Sequence, residues 1–174
     1  RLWGEAMTGP GGRDFVLAMI ASLGIDKKMS LLEIGAGLGG STRIIAKETG
    51  AWVTGLEPDA ALAKAGMELS SRSKLKKRAP IEPCDLAEIE LEAVTYPVIF
   101  SLETFFKVAN KAEFYAKIYR SLKPEGQLLF TDIMVPEPNP QGEAYEKWAT
   151  KERVAPHPWT VEETRSSLEY HGFE

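Results

Sequence analysis

Leu31-Leu32-Glu33-Ile34-Gly35-Ala36-Gly37-Leu38-Gly39-Gly40 decides the fold of this chain. The apolar run before Gly35 reads as a buried strand, and Ser41–Thr49 after it reads as a helix with Ile44, Ile45 and Ala46 turned inward. A glycine cluster between strand and helix is the setting for a nucleotide-binding turn. Gly35, Gly37 and Gly40 have the required spacing. One glycine makes the tight turn, one admits a ligand to the backbone, and one lets helix and strand pack closely.

Working outward, the same alternation continues in both directions. Residues 13–23 carry apolar positions at helical spacing, and Gly24 follows as a C-terminal cap. Strands are predicted at 51–56, 79–81, 97–101 and 127–135. Helices are predicted at 60–73, capped by Asp59, and at 112–122, 143–151 and 160–171. In the last of these, Thr160 and Glu163 have capping-box spacing. Strand and helix alternate with short connections, which implies an α/β fold: a mostly parallel sheet between two layers of helices. A length of 174 residues suits a single domain, 1–174.

Composition narrows the partners. The single cysteine, Cys84, and two histidines make a poor metal set and no internal disulfide, so a cytoplasmic setting and no metal are expected. No apolar run approaches the ~20 residues of a membrane span, and no secretory leader is evident, so no membrane is expected. Net charge is −4, with one basic run at Arg72–Arg78, which argues against general nucleic-acid binding. That run reads most simply as a solvated helix end.

Acidic residues surround the glycine loop. Glu57 lies at the end of the second strand, about twenty residues beyond the glycines, where a carboxylate can accept both hydroxyls of a ribose. Pro58 follows it. Asp85, after the third strand, suits an adenine amino group, with Leu86 covering the ring; helix capping explains Asp85 equally well by itself. Glu33 separates two ligand classes. A carboxylate near the helix start opposes a pyrophosphate, whereas a sulfonium and an ammonium group favour it. The ligand is thus expected to be S-adenosylmethionine and not a dinucleotide.

The residues at this point resemble those of class I S-adenosylmethionine-dependent methyltransferases. Glu33–Gly39 is similar to their first motif, and Gly55-Leu56-Glu57-Pro58-Asp59 to the acidic end of their second strand. Cys84-Asp85-Leu86 resembles their adenine step, and Leu122–Leu128 the loop into their fifth strand. Within that class, Gly4-Glu5, Gly9–Gly12, Tyr96 and Ser101–Thr104 are most similar to enzymes acting on phosphoethanolamine, sarcosine or dimethylglycine. The resemblance implies a three-layer Rossmann-like fold and methyl transfer to a small-molecule acceptor, possible amines included. It implies that Gly35, Ala36 and Gly37 line the methionine part, Glu57 the ribose, and Asp85 and Leu86 the adenine. Ser101, Leu102 and Glu103 would lie near the methyl and ammonium groups, and Gly11 and Gly12 would close over the cofactor.

Two features depart from that pattern. Thr104-Phe105-Phe106-Lys107-Val108 holds no histidine where phosphoethanolamine enzymes often carry one near the acceptor, and Pro97 stands where many relatives have Asp. The two strands that usually finish the class fold are not evident before Glu174. A C-terminally truncated chain is one reading; an open sheet edge covered by a partner copy, as in a homodimer, is the other. Catalytic expectations fall on Glu103, at the reacting end, and on His157, in the proline-rich excursion after the fifth strand. Trp148, Trp159, Phe105 and Phe106 are candidates for an aromatic wall around a cation. Two alternatives stay open: a module that binds S-adenosylmethionine without turnover, and an NAD-dependent oxidoreductase sharing the glycine spacing and Glu57.

Overall fold

The computed structural model describes residues 6–7 and 12–174. Its sheet is built from β1 (Ser30–Ile34), β2 (Trp52–Glu57), β3 (Ile81–Pro83), β4 (Tyr96–Leu102) and β5 (Leu122–Thr131), in the order β3-β2-β1-β4-β5. Every pairing is parallel. The intervening helices are α1 (Gly12–Ile20), α2 (Gly40–Thr49), α3 (Ala60–Arg72), α4 (Lys111–Ser121), α5 (Glu143–Ala149) and α6 (Val161–Tyr170). The doubly wound α/β architecture anticipated from the strand–helix alternation is the one observed.

Both faces of the sheet are covered, and strand alternation divides the core between them. Leu31, Val53, Val98 and Phe100 pack with Val16 and Ile20 of α1 and Ile45 of α2. Leu32, Ile34 and Ile99 pack on the other face with Phe114, Tyr115 and Ile118 of α4, and Leu168 of α6 joins them. Phe105 sits in this second cluster, its ring 5.1 Å from Phe114 and 5.1 Å from Phe130. Burying such side chains is worth ~1.5–3 kcal/mol each, so the two clusters dominate the stability of the sheet.

Local signals hold where side chains cap the helices. Asp59 accepts from the backbone N–H groups of Ala61 and Leu62 at 2.9 and 3.1 Å. Thr160 and Glu163 form the reciprocal capping box. Boundaries shift where proline intervenes: β3 runs Ile81–Pro83 instead of 79–81, because Gly55 N–H reaches the Pro80 carbonyl before the ladder proper begins. β5 starts at Leu122, opposite Tyr96, and bulges through Lys123–Gly126 before the ladder resumes at Gln127. Pro124 does not end the strand here; the bulge absorbs it.

In the order β2-β1-β4, β1 and β4 are neighbours whose connections leave in opposite directions along the sheet. Such a switch point opens a crevice at the carboxyl ends of the strands. The glycine loop, Glu57 and the residues after β4 all fall there.

Candidate functional site

The crevice has a volume of about 270 Å³. Gly35 and Gly37 line it from the glycine loop, Glu57 and Pro58 from the end of β2, and Leu102, Glu103 and Thr104 from the end of β4. Phe106, Lys107, Thr131, Ile133, Phe15, Leu62 and Glu152 complete the lining, with Met7.

The glycine loop is held by its own backbone. The N–H groups of Gly35 and Ala36 both donate to the Leu56 carbonyl, at 2.8 and 3.0 Å. Gly35 has φ +81° and Gly37 φ +56°, a region that β-carbons disfavour. A β-carbon on Gly35 would also fall on the side chain of Thr104. This glycine therefore serves close packing between the loop and the segment after β4 as well as the turn.

Glu57 is nearly buried, and its two oxygens are separately engaged. Oε2 accepts from Gly37 N–H at 2.6 Å, and Oε1 from Asp59 N–H at 2.8 Å. One carboxylate thus ties the glycine loop to the start of α3 while facing the crevice. Each ionised oxygen has capacity for a further donor, as two adjacent hydroxyls would supply.

Glu33 departs from its expected place. It shares the strand face of Leu31, which α2 covers, and its carboxylate accepts from the Ser41 and Thr42 hydroxyls in the first turn of α2. It does not line the crevice. Burial pushes its pKa up to about 7, against the opposing effect of the two hydroxyls and of Arg43. The negative character of the crevice therefore comes from Glu57, Glu103 and Glu152, set against the ammonium of Lys107. A carboxyl whose folded pKa lies above its value of 4.5 binds a proton more tightly in the native state. Its contribution to stability is full below 4.5 and is lost as pH rises through about 7. Glu33→Gln is expected to flatten this dependence. The difference in melting temperature between about pH 5 and about pH 8 should shrink in the variant, and an unchanged difference would show that Glu33 does not titrate there.

Other expected residues are redistributed. Ser101 is fully buried, and its hydroxyl donates to the Ile34 carbonyl at 2.7 Å, fastening β4 to β1 below the crevice. Ala36 lies in a small core cluster with Ala63 and Ile81 and does not face the crevice. Asp85 is exposed and accepts from Ala87 N–H at 2.9 Å, closing a local turn; no helix follows for it to cap. Leu86 borders a neighbouring cavity of about 350 Å³, which Lys107 shares with the crevice. Gly12 begins α1 and does not line the crevice; Phe15 of that helix does. Gly11 lies outside the described residues.

Of the two catalytic expectations, the structure brings only Glu103 to the crevice. Glu103 has φ +50°, and its N–H donates to the Thr131 carbonyl at 2.8 Å. Non-glycine residues held in this region cluster at functional sites, where the surrounding structure enforces them. His157 lines two adjoining cavities instead, because its N–H is drawn to the Phe106 carbonyl at 2.6 Å. Phe105 is core; Phe106 lines the crevice, its ring centre 5.7 Å from that of Trp148 and tilted 45° to it.

Sequence reasoning missed two groups behind the crevice wall, one half-buried and one buried. Asp132, just past β5, accepts from Phe106 N–H at 2.9 Å, and burial pushes its pKa up to about 6. Lys111, first residue of α4, is 1% exposed, and burial pushes its pKa down to about 8. Among the described residues, no group of three or more potential ligands could hold a metal ion. No helix among them is long and apolar enough to cross a membrane.

Comparison with known proteins agrees with this geometry. A family model described as a methyltransferase domain matches residues 32–130. The chain is 26% identical over 132 residues to phosphoethanolamine N-methyltransferase 3 of Arabidopsis thaliana, covering 76% of this chain and 26% of that protein. It is 25% identical over 119 residues to the glycine/sarcosine/dimethylglycine N-methyltransferase of Actinopolyspora halophila, covering 68% of this chain and 21% of that one. The chain thus spans about a quarter of the length of these curated relatives. Its fold superimposes on Haemonchus contortus phosphoethanolamine N-methyltransferase 2, solved in complex with S-adenosyl-L-methionine, with a TM-score of 0.88 and 24% identity. That match covers 98% of this chain and 39% of the other.

Proposed function

Because the chain belongs to the methyltransferase-domain family, we propose that its crevice binds S-adenosylmethionine and directs its methyl group to a small-molecule acceptor. The observation that carries this reading is Glu57, a nearly buried carboxylate bonded to Gly37 N–H and Asp59 N–H yet open to the crevice. It suits the paired hydroxyls of a ribose. Gly35 and Gly37 leave the loop side without β-carbons, so the methionine portion can lie against the backbone. The sulfonium donor supplies an activated methyl group, and the leaving group is already excellent. The protein therefore has little acid–base work to perform on the donor. Its contribution is alignment and exclusion of water, which can supply ~7–11 kcal/mol.

The charge of the crevice favours a cationic or amine acceptor. Glu57, Glu103 and Glu152 outnumber Lys107, and Phe15 and Phe106 add aromatic surface. An amine attacks only when neutral. Glu103 is the carboxylate placed to take its proton or to hold the donor's ammonium group. The Haemonchus contortus relative has been solved with phosphomonomethylethanolamine and S-adenosylhomocysteine, a precedent for an amine in this fold.

Thermal shift with S-adenosylmethionine, S-adenosylhomocysteine and NAD tests the donor. Stabilisation by the first two and not by NAD is expected; stabilisation by NAD alone would overturn the reading. Methylation assays over amines, carboxylic acids and phenols then test the acceptor. Binding without turnover of any of them would point to a non-catalytic module.

A further inference from the structure

Phe106 contributes both of its peptide groups to distant parts of the chain. Its N–H donates to Asp132 Oδ1, and its carbonyl accepts from His157 N–H. Beside it, the buried ammonium of Lys111 donates to the Val108 carbonyl at 3.0 Å and to the His157 carbonyl, and lies 5.5 Å from the centre of the Trp159 ring. Residue 157 is thus fastened through its N–H and its carbonyl to the turn that follows β4. Four residues earlier, Arg153 Nη1 meets Asp59 Oδ2 at 2.7 Å, just beyond the end of β2. Next to the Arg153 attachment, Glu152 lines the crevice.

β2 and β4 flank β1, so a segment tied just beyond the ends of both spans the carboxyl-end side of the sheet, where the crevice opens. The dimensions agree. β2 and β4 are two strand spacings apart, roughly 9.5 Å, and four residues reach at most ~14 Å. The two attachments differ in kind. Lys111 is buried, and its bonds carry an ionised donor shielded from water, which strengthens them. The Arg153 side chain is 84% exposed, and a pair of that kind adds little and yields readily to solvent.

We propose that residues 152–157 form a strap across the mouth of the crevice, hinged at Lys111 and latched by Arg153, and that Lys111 is a positioning residue for the wall formed by Phe106 and Lys107. The strap swings open at the latch to admit the donor, while the hinge keeps the wall in place. A purely structural role for Lys111 is the weaker account. An apolar side chain of the same length would fill that space without an ammonium to desolvate. What the ammonium adds is a bond to two carbonyls from separate segments. The functional part of this proposal rests on the reading of the crevice as the methyl-transfer site; the hinge and latch do not.

Native-state hydrogen exchange and ligand kinetics on the whole chain test it. In Lys111→Met the amides of Phe106 and His157 are expected to exchange about tenfold faster, with β1, β4 and α2 unchanged. Equal acceleration throughout the core would indicate a merely structural lysine, and wild-type protection at both amides would remove the hinge; either result overturns the proposal. Lys111→Gln, which reaches only one of the two carbonyls, gives the same reading should the methionine variant not fold. In Arg153→Ala, exposed and safe to fold, Phe106 and His157 keep their protection. Stopped-flow binding of S-adenosylhomocysteine is then expected to show association and dissociation both faster by about threefold or more, with little change in Kd. Unchanged rates would remove the latch. Failure of S-adenosylhomocysteine to bind the wild-type chain would strike the cofactor reading instead and leave the exchange result to decide the strap.

Discussion

Glu57→Ala is expected to lower affinity for S-adenosylmethionine about a hundredfold or more, measured by calorimetry at a temperature where the variant is folded. Two ribose hydroxyls bonded to a carboxylate contribute roughly 1.5–3 kcal/mol each, and tenfold in affinity is 1.4 kcal/mol. The substitution does more than remove a ligand contact. Gly37 N–H and Asp59 N–H lose their acceptor, and a buried donor left without one costs ~1–3 kcal/mol. The variant should therefore also melt earlier. Glu57→Gln keeps the shape and one acceptor oxygen but loses the charge, so it should fall between the two. Affinity of the alanine variant within about threefold of wild type would refute the ribose assignment.

Gly35→Ala is expected to destabilise the chain by ~2–5 kcal/mol. A residue with a β-carbon held at φ +81° is strained by about 1–2 kcal/mol. Its overlap with the Thr104 side chain adds roughly 1–3 kcal/mol of overpacking. That is a large fraction of the ~5–15 kcal/mol available to a domain. The two contributions separate in a double-mutant cycle. Thr104→Gly in the same chain relieves the overlap and not the backbone strain, so the pair should couple by about 1–3 kcal/mol in urea unfolding. Strict additivity would mean that loop and post-β4 segment do not touch as described.

These two residues also show how much of the site was legible in the sequence. Gly35 and Glu57 announce themselves through local chemistry: a turn that needs glycine, and an acid at a fixed distance along a strand–helix–strand unit. Asp59, Thr160 and Glu163 are readable for the same reason, since a cap acts within four residues of itself. Glu33 was visible but its direction was not. In β1, Leu31, Leu32 and Ile34 are all buried because both faces of the sheet are covered. With no alternation to give the phase, the face of Glu33 depends on which helix lies above it.

Lys111 and Asp132 were invisible for a different reason. A lysine opening a helix and an aspartate after a strand read as solvated positions. Lys111 is covered by His157 and Trp159, folded back from far along the chain, and Asp132 is partnered by Phe106 from 26 positions upstream. Phe15, Phe106, Lys107 and Glu152 join the crevice in the same non-local way. The basic run at Arg72–Arg78, by contrast, lies as its composition suggested: it starts at the last residue of α3, and its charged side chains are exposed.

The double fastening of Phe106 also sets an order of assembly. The glycine loop is satisfied by partners about twenty positions away, at Leu56 and Glu57, and can close as soon as β1, α2 and β2 have met. The turn after β4 must wait for Asp132 and then for His157, 26 and 51 positions downstream in the chain numbering. Closing longer loops exacts more entropy before contacts reward it, so the glycine-loop side of the crevice consolidates first and the Phe106 side last. On a ribosome this chain would have its glycine loop tied to Glu57 well before the wall at Phe106 found its last partner.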